Sequence, residues 1–493
     1  MRRGSILGSV LVFLGLSLNP ASAGASDLVV VEGFSGPFAS DNVTYHGTIP
    51  LDSPGVGGEV VVREDLGGKK FFYVTGLKGL SVYDVTEPTT PVLAGNLPFA
   101  HSQNEDLKVS DDGRTVVIAA DGSLAVPVNP VTTGITVIDV SNPTLPRIVA
   151  SSNDLVMGRG TARGIAEHTA ECANPDCSVI YGRTGRIYKV DFRFGRVDEI
   201  GRWNIAPDGG TVGGIHALNR DETGLVISDS NPRLILDPGV IDPSATPEQP
   251  IALTQGARSP QDNRLQHNNV RTDAAQWVSR HPNKKADRVE TVVAGVDFQV
   301  DPRSISVVDE RPLLRPGELM IGNSESNINP TCSAAGGLST WSIVNFDQRK
   351  KTPAIEQLEV FRPLNGTWLD GDPAANALGC SGHWFTENDG VVTASWYEHG
   401  VRFFEVDEQV GTITQLGWFQ PGVAEAGAAY WVDNSFVYAV DYARGIDILS
   451  FDRGGSLPSQ AELDASWIAN MGKVGEASSQ ERYYCSLAAF TVG

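Results

Sequence analysis

Two segments of the chain are near copies of each other: Leu80–Pro98, LSVYDVTEPTTPVLAGNLP, and Ile135–Asn153, ITVIDVSNPTLPRIVASSN. In both, alternating apolar residues run into Asp-Val, then a turn with proline, a second proline and another run. Such alternation marks a strand with one buried face, and the proline-bearing turn ends it. Weaker copies at Arg186–Phe192, Arg233–Pro238, Thr340–Phe346, Arg402–Asp407 and Ile446–Asp452 bring the count to seven. The steps between Asp84, Asp139, Asp191 and Asp237 are 55, 52 and 46 residues, the length range of a four-stranded propeller blade. A single unit cannot bury both faces of its sheet, so the units must stack around an axis. The expected fold is all-β, a seven-bladed β-propeller with four-stranded blades.

The ends of the pattern predict how the ring closes. The last unit has strand-like runs at Ala428–Asp433, Ser435–Asp441 and Ile446–Asp452, then no outer strand. Val43–Pro50, VTYHGTIP, reads as an outer strand with no inner strands before it. This N-terminal strand is therefore expected to complete the last blade, which removes an open edge and ties the first blade to the last. The segments GLSVYDVTEPTTP and GITVIDVSNPTLP resemble the LVIVD repeat, over roughly residues 40–455 and most closely in the first two units. The resemblance implies propeller blades in a secreted bacterial protein and carries no general activity. Two insertions interrupt the pattern, Asp273–Pro316 between the first two strands of blade five and Asp347–Leu378 around its outer strand.

The chain begins with Arg2-Arg3, an apolar run Ile6–Leu18 and Ala21-Ser22-Ala23, which is the form of a cleaved signal peptide. The expected organisation is a signal peptide over 1–23, the propeller over 24–455 and a C-terminal tail, in part a short helix, over 456–493. Export places the chain in a secreted or periplasmic setting, where disulfides persist. Cys172 and Cys177 flank the turn ANPD and are an expected bridge, Cys332 and Cys380 are the next pair, and Cys485 is left over. A net charge of −21 repels phosphate backbones, so no nucleic-acid partner is expected. No later apolar stretch is long enough to span a membrane in the mature chain. The basic run Arg280–Lys285 reads as a solvated loop.

Aligning the innermost strands by the turns that follow them brings four histidines to one repeat position. Their first residues are Glu59, Glu105, His168, His216, His267, His383 and about Ala428. Innermost strands line the central channel, so equivalent residues form a ring at one of its mouths. Imidazoles converging from separate rigid strands suit a transition metal ion, iron, copper or zinc. His168, His216, His267 and His383 are the expected ligands, and Glu59, Glu105 and Glu325 would support them through their second ring nitrogens. Strands returning to the same mouth would bring Asp121, Asp229 and the expected catalytic pair, Glu398 and His399. The layout is similar to that of the carotenoid-cleaving oxygenases, where four histidines of a seven-bladed propeller hold an axial iron and glutamates support them.

Other chemistries find less in the sequence. It has no GxSxG elbow, no HExxH, no GxGxxG after a strand and no P-loop. Trp384, Trp396, Tyr397 and Trp431 could floor an apolar ligand site or pack between blades. The reading that follows is an exported propeller metalloprotein of oxidoreductase type, acting on a small-molecule or extracellular ligand. Its alternatives are a non-catalytic extracellular binding or adhesion propeller using loops or blade faces, and a metal-free lyase or hydrolase with a histidine base.

Overall fold

The aspartate of the repeat ends a strand by bonding its own backbone. Asp84 Oδ1 accepts the Thr86 N–H, Asp139 Oδ1 that of Ser141, Asp191 Oδ1 that of Arg193, and Asp407 Oδ1 that of Gln409. This side-chain turn releases the chain from the third strand in blades 1, 2, 3 and 6. The neighbouring valines, Val85, Val140, Val190 and Val406, are buried between blades. The aspartate with its neighbouring valine is thus a strand stop beside a core contact in these four blades.

A computed structural model describes residues 38–51, 55–76, 79–99, 107–121, 133–159, 164–202, 216–228, 232–236, 253–255, 265–278, 280, 312–325, 337–344, 355–364, 380–421, 425–442 and 444–478. The strands form seven four-stranded antiparallel blades. Their innermost strands are Gly55–Arg63, Leu107–Val109, Ala170–Cys172, Leu218–Asp221, Leu265–Arg271, Phe385–Asn388 and Ala426–Trp431. Neighbouring innermost strands touch all the way round, Ala426–Trp431 meeting Gly55–Arg63 to close the ring. A parallel bridge from Ser151 to Arg196 joins the outer strands of blades 2 and 3, and Phe38–Ala39 adds a fifth strand to blade 6.

Each blade interface has its own apolar cluster. Phe71, Val82 and Ile138 lie between blades 1 and 2, for example, and Ile321, Trp396 and Phe404 between blades 5 and 6. Trp384 and Trp431 are also buried in such clusters, so of the four aromatic residues considered for a ligand floor the three tryptophans pack between blades. Polar side chains add a second set of ties. An innermost strand is an edge, and side chains of the preceding blade meet its free peptide groups. Glu59 Oε2 accepts Val109 N–H at 2.8 Å, Glu171 Oε2 accepts Arg220 N–H at 3.1 Å, Asn219 Nδ2 donates to Asn269 O at 2.9 Å, and Asn268 Nδ2 donates to Phe385 O at 3.2 Å.

The N-terminal strand Val43–Pro50 pairs antiparallel with Gly445–Phe451 as the outer strand of blade 7, as its sequence predicts. Ile49 opposes Ile446, and both are buried in the cluster between blades 7 and 1. Beside them Thr48 Oγ1 donates to Asp447 Oδ1, and Arg444 reaches the same oxygen at 2.8 Å. Beyond blade 7 the helix Gln460–Ser478 lays Leu463 and Trp467 on Trp418 of blade 6. No helix among the described residues is long and apolar enough to cross a membrane. Cys172 and Cys177 are bridged, and Cys380 is disulfide-bonded. Residues 1–23, Cys332, Cys485 and most of the Asp273–Pro316 insertion lie outside the described residues. Arg280 departs from the solvated reading of its basic run: it is buried in an ion pair with Glu318, whose carboxylate offsets its desolvation.

Two predictions concern ring closure. Ile49→Ala leaves a cavity in the closing pair and should lower the unfolding free energy by about 2–5 kcal/mol, read as a lower urea midpoint with an unchanged slope. Burial pushes the Asp447 carboxyl up to about 6, the Arg444 guanidinium opposing it and Asp441 adding to it. That lies above the ordinary value of about 3.9, so the folded state binds the proton more tightly than the unfolded chain. The resulting stability is complete below about pH 4 and is lost as pH rises through about 6. Asp447→Asn should abolish this component, which thermal melts of both proteins across that range would show.

Candidate metal centre

The histidines reach the channel because the innermost strands bulge where they stand. His216 N–H donates to Ser228 O at 2.8 Å while Ser228 N–H donates to Ala217 O at 2.9 Å, so two residues oppose one. His383 and Trp384 share Ser395 in the same way, at 2.9 and 3.1 Å. His267 falls at the register shift between Gln266 and Asn268. A bulge re-aims one side chain out of the alternating pattern. At the matching shift in blade 7 the residue is Gly427, where a Cβ would lie 2.7 Å from the Tyr442 ring. Blade 7 therefore presents Tyr442 where other blades present an imidazole.

The four imidazoles form a contiguous chain. Ring centroids are 4.7 Å apart from His168 to His216, 4.0 Å from His216 to His267 and 3.7 Å from His267 to His383. Asp121 Oδ2 bonds His168 Nδ1 at 2.7 Å, which turns Nε2 of that ring towards His216 Nε2, 3.1 Å away. Glu325 Oε2 lies 3.5 Å from His216 Nε2. His216, His267 and Glu325 each offer a donor atom, all within 4.8 Å of one another, a group that could hold a metal ion. Donors bound at about 2.0–2.1 Å to one ion stand ~3.0–3.4 Å apart, so the spacings around His216 are those of neighbouring corners of a coordination shell. At the far end His383 Nδ1 bonds Gly427 O, and Tyr442 Oη lies 3.4 Å from its Nε2. His267 and His383 are wholly buried, whereas the Glu325 side chain is 22% exposed, so the group opens to solvent on the Glu325 side.

The other expected site residues fall differently. Glu325, expected to support the histidines from behind, presents a donor atom itself. Glu59 is taken up by the tie to blade 2 described above. His399 is not brought to the imidazole chain. It stacks on Trp467 of the C-terminal helix, 5.2 Å between centroids, because the turn Trp396–Gly400 carries it to the outer side of blade 6. Glu398, in the same turn, accepts Gln420 Nε2 at its backbone carbonyl. The residue of that turn that does reach the centre is Tyr397, whose hydroxyl donates to Glu325 Oε1 at 2.8 Å. Tyr442 was missed by sequence reasoning, although it follows the second strand of its blade as Asp121 does. Glu105 and Asp229 lie outside the described residues. His46 bonds Ser450 on the closing strand, away from the centre.

No curated protein matches the chain. Among solved structures it is similar to the β-propeller domain of Myceliophteria thermophila Cps50 (Swd1), with 12% identity, a TM-score of 0.49 and coverage of 83% of this chain and 99% of that one. It is similar also to U3-55K, with 11% identity, a TM-score of 0.46 and coverage of 85% and 100%. The LVIVD repeat profile matches residues 67–97 and 131–154. These are the second to fourth strands of blade 1 and the last two of blade 2. With seven blades, and the repeat matched in two of them, the chain is a β-propeller that carries LVIVD repeats.

Proposed function

We propose that the protein is an exported metalloprotein of oxidoreductase type, with its metal held at the channel mouth by His216, His267 and Glu325. The observation that carries this reading is the meeting of two imidazoles and one carboxylate from blades 4 and 5, all donors within 4.8 Å. Two histidines with one carboxylate are a donor set that non-haem iron sites share with catalytic zinc sites, both of which keep positions open for water, oxygen or substrate. His168 stands as a further donor, with Asp121 fixing its ring. His383, the fourth expected ligand, is assigned to the wall behind His267, where it packs with Tyr442. When bound, such an ion supplies Lewis acidity and one-electron chemistry. The protein's part is to fix the donors on rigid strands and to keep their inner side dry. Export is supported by the leader-like pattern of residues 1–23 and by the Cys172–Cys177 bridge.

Elemental analysis of protein purified without an affinity tag tests the reading directly. About one first-row transition metal per chain is expected, and the His216→Ala His267→Ala variant should lose it while keeping its β-sheet circular dichroism. No metal in the wild type, or the same content in the variant, would sink the proposal. Linkage gives a second measurement. Metal added at a hundred times its Kd should raise the unfolding free energy of the stripped wild type by about 2.7 kcal/mol and leave the variant unchanged.

A further inference from the structure

Tyr397 has a backbone φ of 41°, in the left-handed region that a bulky aromatic residue rarely enters. The other non-glycine residues with positive φ among those described are Cys177, Asp273 and Asp389. Asp273 and Asp389 stand in turns, where the type tolerates this conformation. Tyrosine has no such local compensation, and the strain is of order 1–3 kcal/mol. The surroundings impose it. Tyr397 and Ala426 exchange N–H···O bonds of 3.1 Å in both directions, an isolated bridge from blade 6 to the innermost strand of blade 7. Gly400 N–H donates to Tyr397 O at 3.0 Å and closes the turn from the other side.

The conformation sends the ring across the top of blade 6 to blade 5. The ring lies 4.9 Å from the His383 imidazole of its own blade and 6.3 Å from Tyr442 of blade 7, inclined by 29°, and its hydroxyl reaches blade 5, 2.8 Å from Glu325 Oε1. The other carboxylate oxygen, Oε2, faces His216. The phenol therefore holds one oxygen of Glu325 and leaves the second directed at the imidazoles.

We infer that Tyr397 is the positioning residue of the metal centre: its strained turn exists to hold Glu325 by one oxygen so that the other serves as a single-oxygen donor beside His216 and His267. This rests on the metal reading of the same site. It assigns a function to keeping a tyrosine at a backbone position where glycine would sit without strain.

The test compares Tyr397→Phe, which removes only the hydroxyl, with Tyr438→Phe, which removes a buried hydroxyl bonded to Pro88 O. Cobalt(II) is titrated into stripped protein and followed by its visible absorption. Tyr397→Phe should bind about 10–100-fold more weakly and shift the cobalt bands, as changes to groups that orient a ligand do. Tyr438→Phe should match the wild type in both. Equal affinity and an unshifted spectrum in Tyr397→Phe, with wild type binding normally, would overturn the role of Tyr397 alone. A wild type that takes up no cobalt would overturn the metal reading and this inference together.

Discussion

The innermost strand of each blade has no strand partner on its channel side, and this constraint organises the molecule. Its free peptide groups must be satisfied, and they are met by side chains of the adjoining blades. Glu59 serves Val109, Glu171 serves Arg220, Asn219 serves Asn269, Asn268 serves Phe385, and Thr386 Oγ1 both donates to Ala429 O and accepts Trp431 N–H. Apolar clusters between blades supply the burial, but they are not directional. The polar ties set the height of each innermost strand against the next. A ring built so can present residues from several blades at one level, which is what a multidentate site needs.

Bulges then convert level strands into converging side chains. Without them His216 and His383 would follow the alternation of their strands and point between blades. With them, four rings run edge to face and tilted in one contiguous chain from His168 to His383. Blade 7 shows the complementary choice: Gly427 removes a side chain and Tyr442 fills the space, so the chain of imidazoles ends in a phenol.

The fold was legible because its signals are local. An aspartate that bonds its own turn and a valine beside it repeat where the third strands of blades 1, 2, 3 and 6 end, and a lone outer strand at Val43–Pro50 implies a blade that lacks one. The histidines were legible for the same reason, since a fixed place before each innermost hairpin is a sequence property. Partnerships across blades were not. Glu325 and Tyr397 are 72 residues apart and meet only because the ring places blade 6 beside blade 5. His399 was misplaced because two residues along a turn decide which side of a blade a side chain faces, and only the left-handed φ of Tyr397 settles it. Gln460–Ser478 gave little signal because a helix that buries chiefly Leu463 and Trp467 needs no sustained apolar stripe.

The same device that ties the ring also fixes the centre. His216 O accepts the Thr169 hydroxyl from blade 3, His383 O accepts Asn323 Nδ2 from blade 5 at 2.9 Å, and His383 Nδ1 is anchored on Gly427 O of blade 7. Gly382 permits the second of these, since a Cβ there would lie 2.2 Å from Asn323 Oδ1. His168, His216 and His383 are therefore each located by a blade other than their own, and a shift of one blade would be resisted by its neighbours. A coordination site tolerates displacements of only about half an ångström, and such cross-blade anchoring is how seven blades can meet that tolerance. Buried amides in this region, Asn268 and Asn323, donate to the Phe385 and His383 carbonyls, which would be left unmet by aliphatic side chains. These ties from blade 5, and the strained tyrosine that meets Glu325 from blade 6, mark the part of the ring where the position of side chains is most closely fixed.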